Sequence, residues 1–120
     1  MSGQIRQKLP DEHNSITHKF SVGGAEGYLI FGVDDESAPK EIFIKLNKTG
    51  TAEWSLYSII GRLMSLLLQY GCPVDDLVSI MRFSSYEPSG ITTNKDIRFA
   101  KSILDYTARY MDIKWGTNGN

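Results

Sequence analysis

The chain has 120 residues, 41% hydrophobic and 22% charged, enough for one domain around one core and outside the composition of a disordered segment. A formal net charge of −1 excludes nucleic-acid polymers and membranes as partners bound through a global basic field, so any recognition of phosphate has to be local. The single cysteine, Cys72, excludes an intramolecular disulfide and a zinc knuckle, and no metal or cofactor is expected.

Residues 1–13 read as a flexible, mixed-charge lead without the apolar core of a secretory signal, which predicts a soluble, cytoplasmic protein. From Ser15 the pattern becomes strand-like: ITHKFSV, a glycine-rich turn at Gly23–Gly27, then YLIFGV, where Leu29, Phe31 and Val33 alternate with Tyr28, Ile30 and Gly32. A turn at Asp34–Pro39 leads into a third strand, Lys40–Leu46, with Ile42, Ile44 and Leu46 on one face. Three strands joined by short turns predict an antiparallel meander. Asn47–Thr51 follows, with Thr51 the expected helix N-cap. Its Lys, Thr and Gly residues also resemble a phosphate cradle, although the GxxxxGK[ST] spacing is absent.

Thr51–Tyr70 is the longest apolar-periodic run and predicts a long central helix, too short and too interrupted by Arg62 to span a bilayer. Leu56, Ile59, Ile60, Leu63, Met64, Leu66, Leu67 and Leu68 form the arc expected to cover the meander. The other face carries Trp54, Ser58, Gly61, Arg62, Ser65 and Gln69. It reads either as an ordinary outer face that happens to be small, or as a wall for a second subunit or a ligand. Gly71 and Pro73 stop this helix. A shorter helix over Val74–Phe83 is expected to point Leu77, Ile80 and Met81 inward, and a long loop follows over Ser84–Asn94. The last helix is predicted over Lys95–Met111, with Ile97, Ala100, Leu104, Ala108 and Met111 at helical spacing. Its outer side, Arg98, Lys101, Asp105 and Arg109, is either a solvated face stitched by i,i+4 ion pairs or a place where Arg98 or Arg109 reaches a phosphate. Residues 112–120 read as a frayed tail in which Trp115 could dock. The expected class is α+β: an antiparallel β-meander covered by a long central helix, with two further helices C-terminal, in a single domain over residues 14–111.

Catalysis finds no support in the pattern. His13 and His18 have no motif-spaced partner, Ser84, Ser85 and Ser89 lack a nucleophile elbow, and Asp75–Asp76 suits a helix first turn better than a metal site. The protein is expected not to be an enzyme.

The segments LPDEHNSITHKFSVGGAEGYLIFGVDD, EIFIKL, LLQYGCP, YEPSG and FAKSILDY, in that order over about Leu9–Tyr110, resemble the C-terminal accessory (TSCPD-like) domain of cobalamin-dependent, class II ribonucleotide reductases. The reductase barrel is missing from the sequence, and Cys72 alone cannot form a redox dithiol. Ser85 and Tyr86 stand where that family commonly has arginine and phenylalanine. The resemblance therefore implies a non-catalytic accessory role, binding a nucleotide or a reductase partner. The chain also looks similar to the phage anti-Thoeris sponge family. That resemblance implies sequestration, without cleavage, of cyclic ADP-ribose-type signals or cyclic oligonucleotides by a homo-oligomer, a dimer or a hexamer, in the cytoplasm of an infected or lysogenic bacterial host. The chemistry such a ligand needs is present: Phe83, Tyr86 or Trp54 for a base, Arg62, Arg98 and Arg109 for phosphates, and Asn94, Thr92 and Thr93 for ribose hydroxyls.

Overall fold

The computed structural model describes residues 5–47 and 52–117. Alternating burial builds the strands β1 (Asn14–Val22), β2 (Ala25–Val33) and β3 (Pro39–Leu46), with Leu29, Phe31, Val33, Ile42 and Ile44 buried. Gly23 and Gly24 both take positive φ, 56° and 86°, which gives the tight two-residue β1–β2 turn its hairpin twist. Then come α1 (Ala52–Gln69), α2 (Val74–Met81), β4 (Gly90–Asn94), β5 (Ile97–Ala100) and α3 (Ile103–Trp115). The strands form one five-stranded sheet in the order β3-β2-β1-β4-β5, antiparallel at β1–β4 and β4–β5. The α+β class stands, with the meander, the long central helix and two C-terminal helices in place and two further strands between those helices.

Contacts divide the chain into two units. The first comprises residues 1–18 and 28–72, the second residues 19–27 and 73–120.

In the first unit, α1 packs on β3 by a face turned away from the expected one, burying Met64 and Leu68 of the expected arc together with Gly61, Ser65 and Gln69 of the other face. Tyr57, Gly61, Met64, Ser65, Leu68 and Gln69 are its buried residues, whereas Leu56, Ile59 and Leu63 are exposed. The reason is hydrogen bonding. β3 is an edge strand, and its free backbone groups need partners. Ser65 Oγ accepts from Ile42 N at 2.9 Å, and Gln69 Nε2 donates to Lys40 O at 3.1 Å. Gly61 permits the approach, because a Cβ there would lie 2.9 Å from Ile42 O. Gly71, at φ 92°, closes the helix as expected: Gly71 N donates to Leu68 O and Cys72 N to Leu67 O, the paired bonds of a Schellman motif. The lead is tied to this end, with Arg6 Nε donating to Gln69 Oε1 at 2.6 Å and Gln7 N to Gln69 O at 2.8 Å. Thr51 and the Lys48–Thr51 part of the suspected phosphate cradle lie outside the described residues.

In the second unit, α2 packs on α3. Leu77, Val78 and Met81 point inward, and Ile80 is exposed rather than buried. The expected helix over Lys95–Met111 is corrected. Asn94–Lys95–Asp96 is a turn, stabilised by Asp96 N donating to Asn94 Oδ1 at 2.9 Å, and β4 and β5 flank it. The helix begins only after Ser102, whose side chain caps it by accepting from Asp105 N at 2.9 Å, and continues to Trp115. Phe20, Tyr106, Ile103, Ala108 and Met111 are fully buried or nearly so in this unit.

Candidate functional site

Helix α3 starts beside the segment that follows α2, and one side chain links them. Asp105 is 0% exposed. Its carboxylate accepts from Phe83 N at 2.7 Å, Lys101 N at 2.8 Å and Arg109 Nε at 3.1 Å. Two backbone N–H groups and a guanidinium replace the water this charge has lost. A second bolt lies alongside: Ser84 Oγ and Ser102 Oγ are 2.8 Å apart, Tyr86 N donates to Lys101 O, and Tyr86 Oη accepts from Leu104 N at 3.1 Å.

This scaffold holds Phe83 at φ +68°, a left-handed backbone that costs a bulky residue about 1–3 kcal/mol. The turn leaves Phe83 58% exposed. Three cations surround it: Arg109 at 5.1 Å, Arg82 at 5.2 Å and Lys101 at 5.4 Å from the centroid. Each distance is within cation–π range. Arg109 also pairs with Asp105 and Arg82 with the buried Asp112, at 3.3 Å, while Lys101 makes no ion pair among the described residues. Arg82 Nε is buried and has no hydrogen-bond partner among the described residues. Three positive charges thus meet two carboxylates around an exposed flat ring. The arrangement offers an apolar face bordered by hydrogen-bond donors to an anion, which is what a phosphorylated heterocycle requires.

The residues singled out from the sequence fall into three groups. Phe83, Tyr86 and Arg109 come together in the second unit around Asp105. Asn94 is in the same unit but is occupied by the fold, its Nδ2 donating to Tyr106 Oη at 3.1 Å and its Oδ1 accepting from Asp96 N. Thr92 Oγ1 likewise donates to Ile97 O, and Thr93 is exposed on β4. Arg98 lies exposed on β5, not on a helix with Arg109. Arg62 and Trp54 belong to the first unit. Arg62 helps line a groove of about 540 Å³ with Arg6, Glu41 and Phe43, and Trp54 lines a separate one of about 170 Å³. Asp105 was expected to be a solvated partner of Lys101 and Arg109; it is instead the buried anchor of the site. Ser102 was missed as the cap, and Arg82 was not among the ligand candidates. The Ser102-x-x-Asp105 spacing was the available signal for the cap.

Burial raises the hydroxyl pKa of Tyr106 above its usual value, with Asn94's hydrogen bond working against the shift. His13 is engaged by Glu41 Oε1 at 3.3 Å and the Pro10 carbonyl at 2.7 Å, and Cys72 is half-buried and in no disulfide. Among the described residues no group of three His, Cys, Asp or Glu side chains could hold a metal ion. No helix is long and apolar enough to cross a membrane among those residues.

A small α+β module with a cation-ringed aromatic and a buried carboxylate anchor is the class that this geometry defines. The chain belongs to the TSCPD domain family, whose model matches residues 4–114. It is similar to a vitamin B12-dependent ribonucleotide reductase of Rhodopirellula baltica, 43% identical over 108 residues that cover 90% of this chain and 10% of that one. Proteins of the same name from Bradyrhizobium diazoefficiens and Streptantibioticus cattleyicolor are 39% and 36% identical, over 92% and 91% of this chain and 9% and 18% of their own lengths. The chain thus spans between about a tenth and a fifth of the length of these relatives. No solved structure matches it significantly.

Proposed function

We propose that the chain is a non-catalytic accessory module, related to the one carried by B12-dependent ribonucleotide reductases, that holds a phosphorylated nucleotide at Phe83. The family match supports the accessory character. The observation that carries the binding role is the convergence of Arg82, Lys101 and Arg109 on one exposed ring. In this reading the ring carries the base or sugar edge, Lys101 and the outer nitrogens of the two guanidiniums take the phosphate oxygens, and Asp105 holds the frame.

Sequestration of a cyclic nucleotide signal is the second reading. It draws on the same cluster, because a cyclic ADP-ribose-type ligand would likewise offer a base to the ring and linked phosphates to the cations. It too needs only binding and release. The relatives bear on the reductase resemblance and do not bear on this one.

Calorimetric titration with dATP, ATP, cyclic ADP-ribose variants and cyclic oligonucleotides tests both readings, followed by heat denaturation and analysis of the released ligand. Intact ligand is the expected recovery, and a chemically altered product overturns the non-catalytic role. Uptake of linear nucleotides supports the accessory module, and exclusive uptake of cyclic ones supports sequestration. If no nucleotide binds, the phosphate assignment falls. Lys101→Ala is expected to weaken binding by about 1–3 kcal/mol, the size of a hydrogen bond to a charged group. Arg62→Ala, in the other unit, is expected to leave it unchanged.

A further inference from the structure

The first unit has cations of its own. Arg6 and Arg62 both line the groove of about 540 Å³ between α1 and β3. Arg6 is held there by its Nε, which donates to Gln69 Oε1 at 2.6 Å, and Gln69 is fixed in turn by its Nε2 on Lys40 O. The outer nitrogens of Arg6 and the guanidinium of Arg62 have no carboxylate within ion-pair distance among the described residues. Glu41 also lines the groove and is engaged by His13 at 3.3 Å. Two guanidiniums against one carboxylate leave a formal excess of one positive charge. The neutral polar groups of the lining are occupied: Ser65 Oγ accepts from Ile42 N and donates to Gly61 O, and both ends of the Gln69 amide are bonded. The remaining wall is Phe43, Ile59, Leu63 and Leu66, and the apolar surface runs on along the same helical face to Leu56.

We infer that this groove receives a short apolar segment of another polypeptide that carries a single carboxylate. Charge, hydrogen bonding and length each bear on that occupant. An excess of one positive charge matches one carboxylate, which a guanidinium fork binds through two parallel bonds. A phosphate brings about two negative charges and would set the second against Glu41. With its hydroxyl and amide groups already bonded, the lining offers a ribose no partner, so the rest of the ligand is apolar. Length decides against a small organic acid. From Gln69 to Leu56 the strip runs roughly 20 Å along α1, which about six residues of extended chain would cover. It is also open, with Leu56, Ile59 and Leu63 each at least half exposed. An extended peptide covers an open strip with alternate side chains and keeps the others hydrated, whereas an alkyl chain lying there leaves its outer side in water. The inference goes beyond the nucleotide reading and does not rest on it, since its residues all lie in the first unit.

Fluorescence anisotropy of the full chain tests it. The probe is a labelled peptide of about six residues, leucine alternating with serine and a glutamate at one end, with both termini blocked. Its glutamine counterpart is the control. The glutamate peptide is expected to bind saturably and the glutamine one at least about tenfold more weakly, the effect of losing a hydrogen-bonded charge. Arg62→Gln, at an exposed position, is expected to weaken the glutamate peptide by a similar factor, and Leu63→Ser to weaken both peptides. Arg98→Gln, exposed in the second unit, is expected to change neither. The comparison of the two peptides uses the wild-type chain, so it holds even where a variant fails to fold. A glutamate peptide that does not bind, equal affinity for the two peptides, an Arg62→Gln chain that is folded by circular dichroism and binds as wild type, or uptake of decanoate in place of the peptide overturns the inference. Any of these results leaves the Phe83 reading standing, and a failure of nucleotides to bind leaves this one standing.

Discussion

Asp105 shows how much a single buried charge can organise. Its three donors come from the second residue after α2, the residue before the cap of α3 and the next turn of that helix. Asp105→Ala removes the acceptor and leaves two backbone N–H groups buried without a partner. We expect it to cost about 3–5 kcal/mol in urea denaturation, with Asp105→Asn costing less because one acceptor oxygen survives. On the proposed reading nucleotide binding should fall most in Asp105→Ala, where Phe83 loses the bond that holds its left-handed backbone. Tyr106 gives a test in pH. Its pKa is raised by burial, so the folded state holds the phenol proton more tightly than the unfolded chain. The stability this brings is complete below the ordinary tyrosine pKa near 10 and is lost as pH rises through the higher folded value. Thermal melts between pH 8 and 11 are expected to show that alkaline decline in wild type and a shallower one in Tyr106→Phe.

At the level of elements, the sequence was informative wherever a local rule decides the outcome. The alternation of Leu29, Phe31 and Val33, the turn glycines at 23 and 24, and the stop at Gly71 act through backbone geometry, and each was legible. Two readings failed where a distant partner decides. Nothing in Thr51–Tyr70 shows that an edge strand will supply unpaired N–H and C=O groups, so the helix was expected to bury its greasiest arc rather than Gly61 and Ser65. Ile97, Ala100, Leu104 and Ala108 do recur at helical spacing. The tertiary context and the Asn94–Asp96 turn nevertheless make the first two a strand. The site followed the same division: Phe83, Tyr86 and Arg109 were visible as residue types, while Asp105's role depends on burial that no spacing reveals. Denaturation of two α1 variants tests the inverted face. Gly61→Ala gains helix propensity of about 1 kcal/mol but drives a Cβ against Ile42 O, and a net loss of about 1–2 kcal/mol is expected. Ser65→Ala, which strands Ile42 N, is expected to cost about 1–3 kcal/mol. If both substitutions stabilise the protein, α1 packs by its other face.

For the whole molecule, the near-neutral charge and the placement of the cations agree. The chain as a whole has no basic field, so the phosphate binding proposed here would rest on the few side chains around Phe83. The structure also divides the chain without dividing the sequence. The tip of the β1–β2 hairpin, residues 19–27, belongs with residues 73–120, far along the chain. Val22 pairs with Thr92, and the Phe20 ring lies 5.6 Å from that of Tyr106. The consequence lies in time. On the ribosome Phe20 and Val22 emerge bare, well before the Thr92 and Tyr106 that they meet in the fold. Closing so distant a contact slows refolding relative to a chain with local pairings. Until it closes, the hairpin tip is bare apolar surface of the kind a chaperone covers.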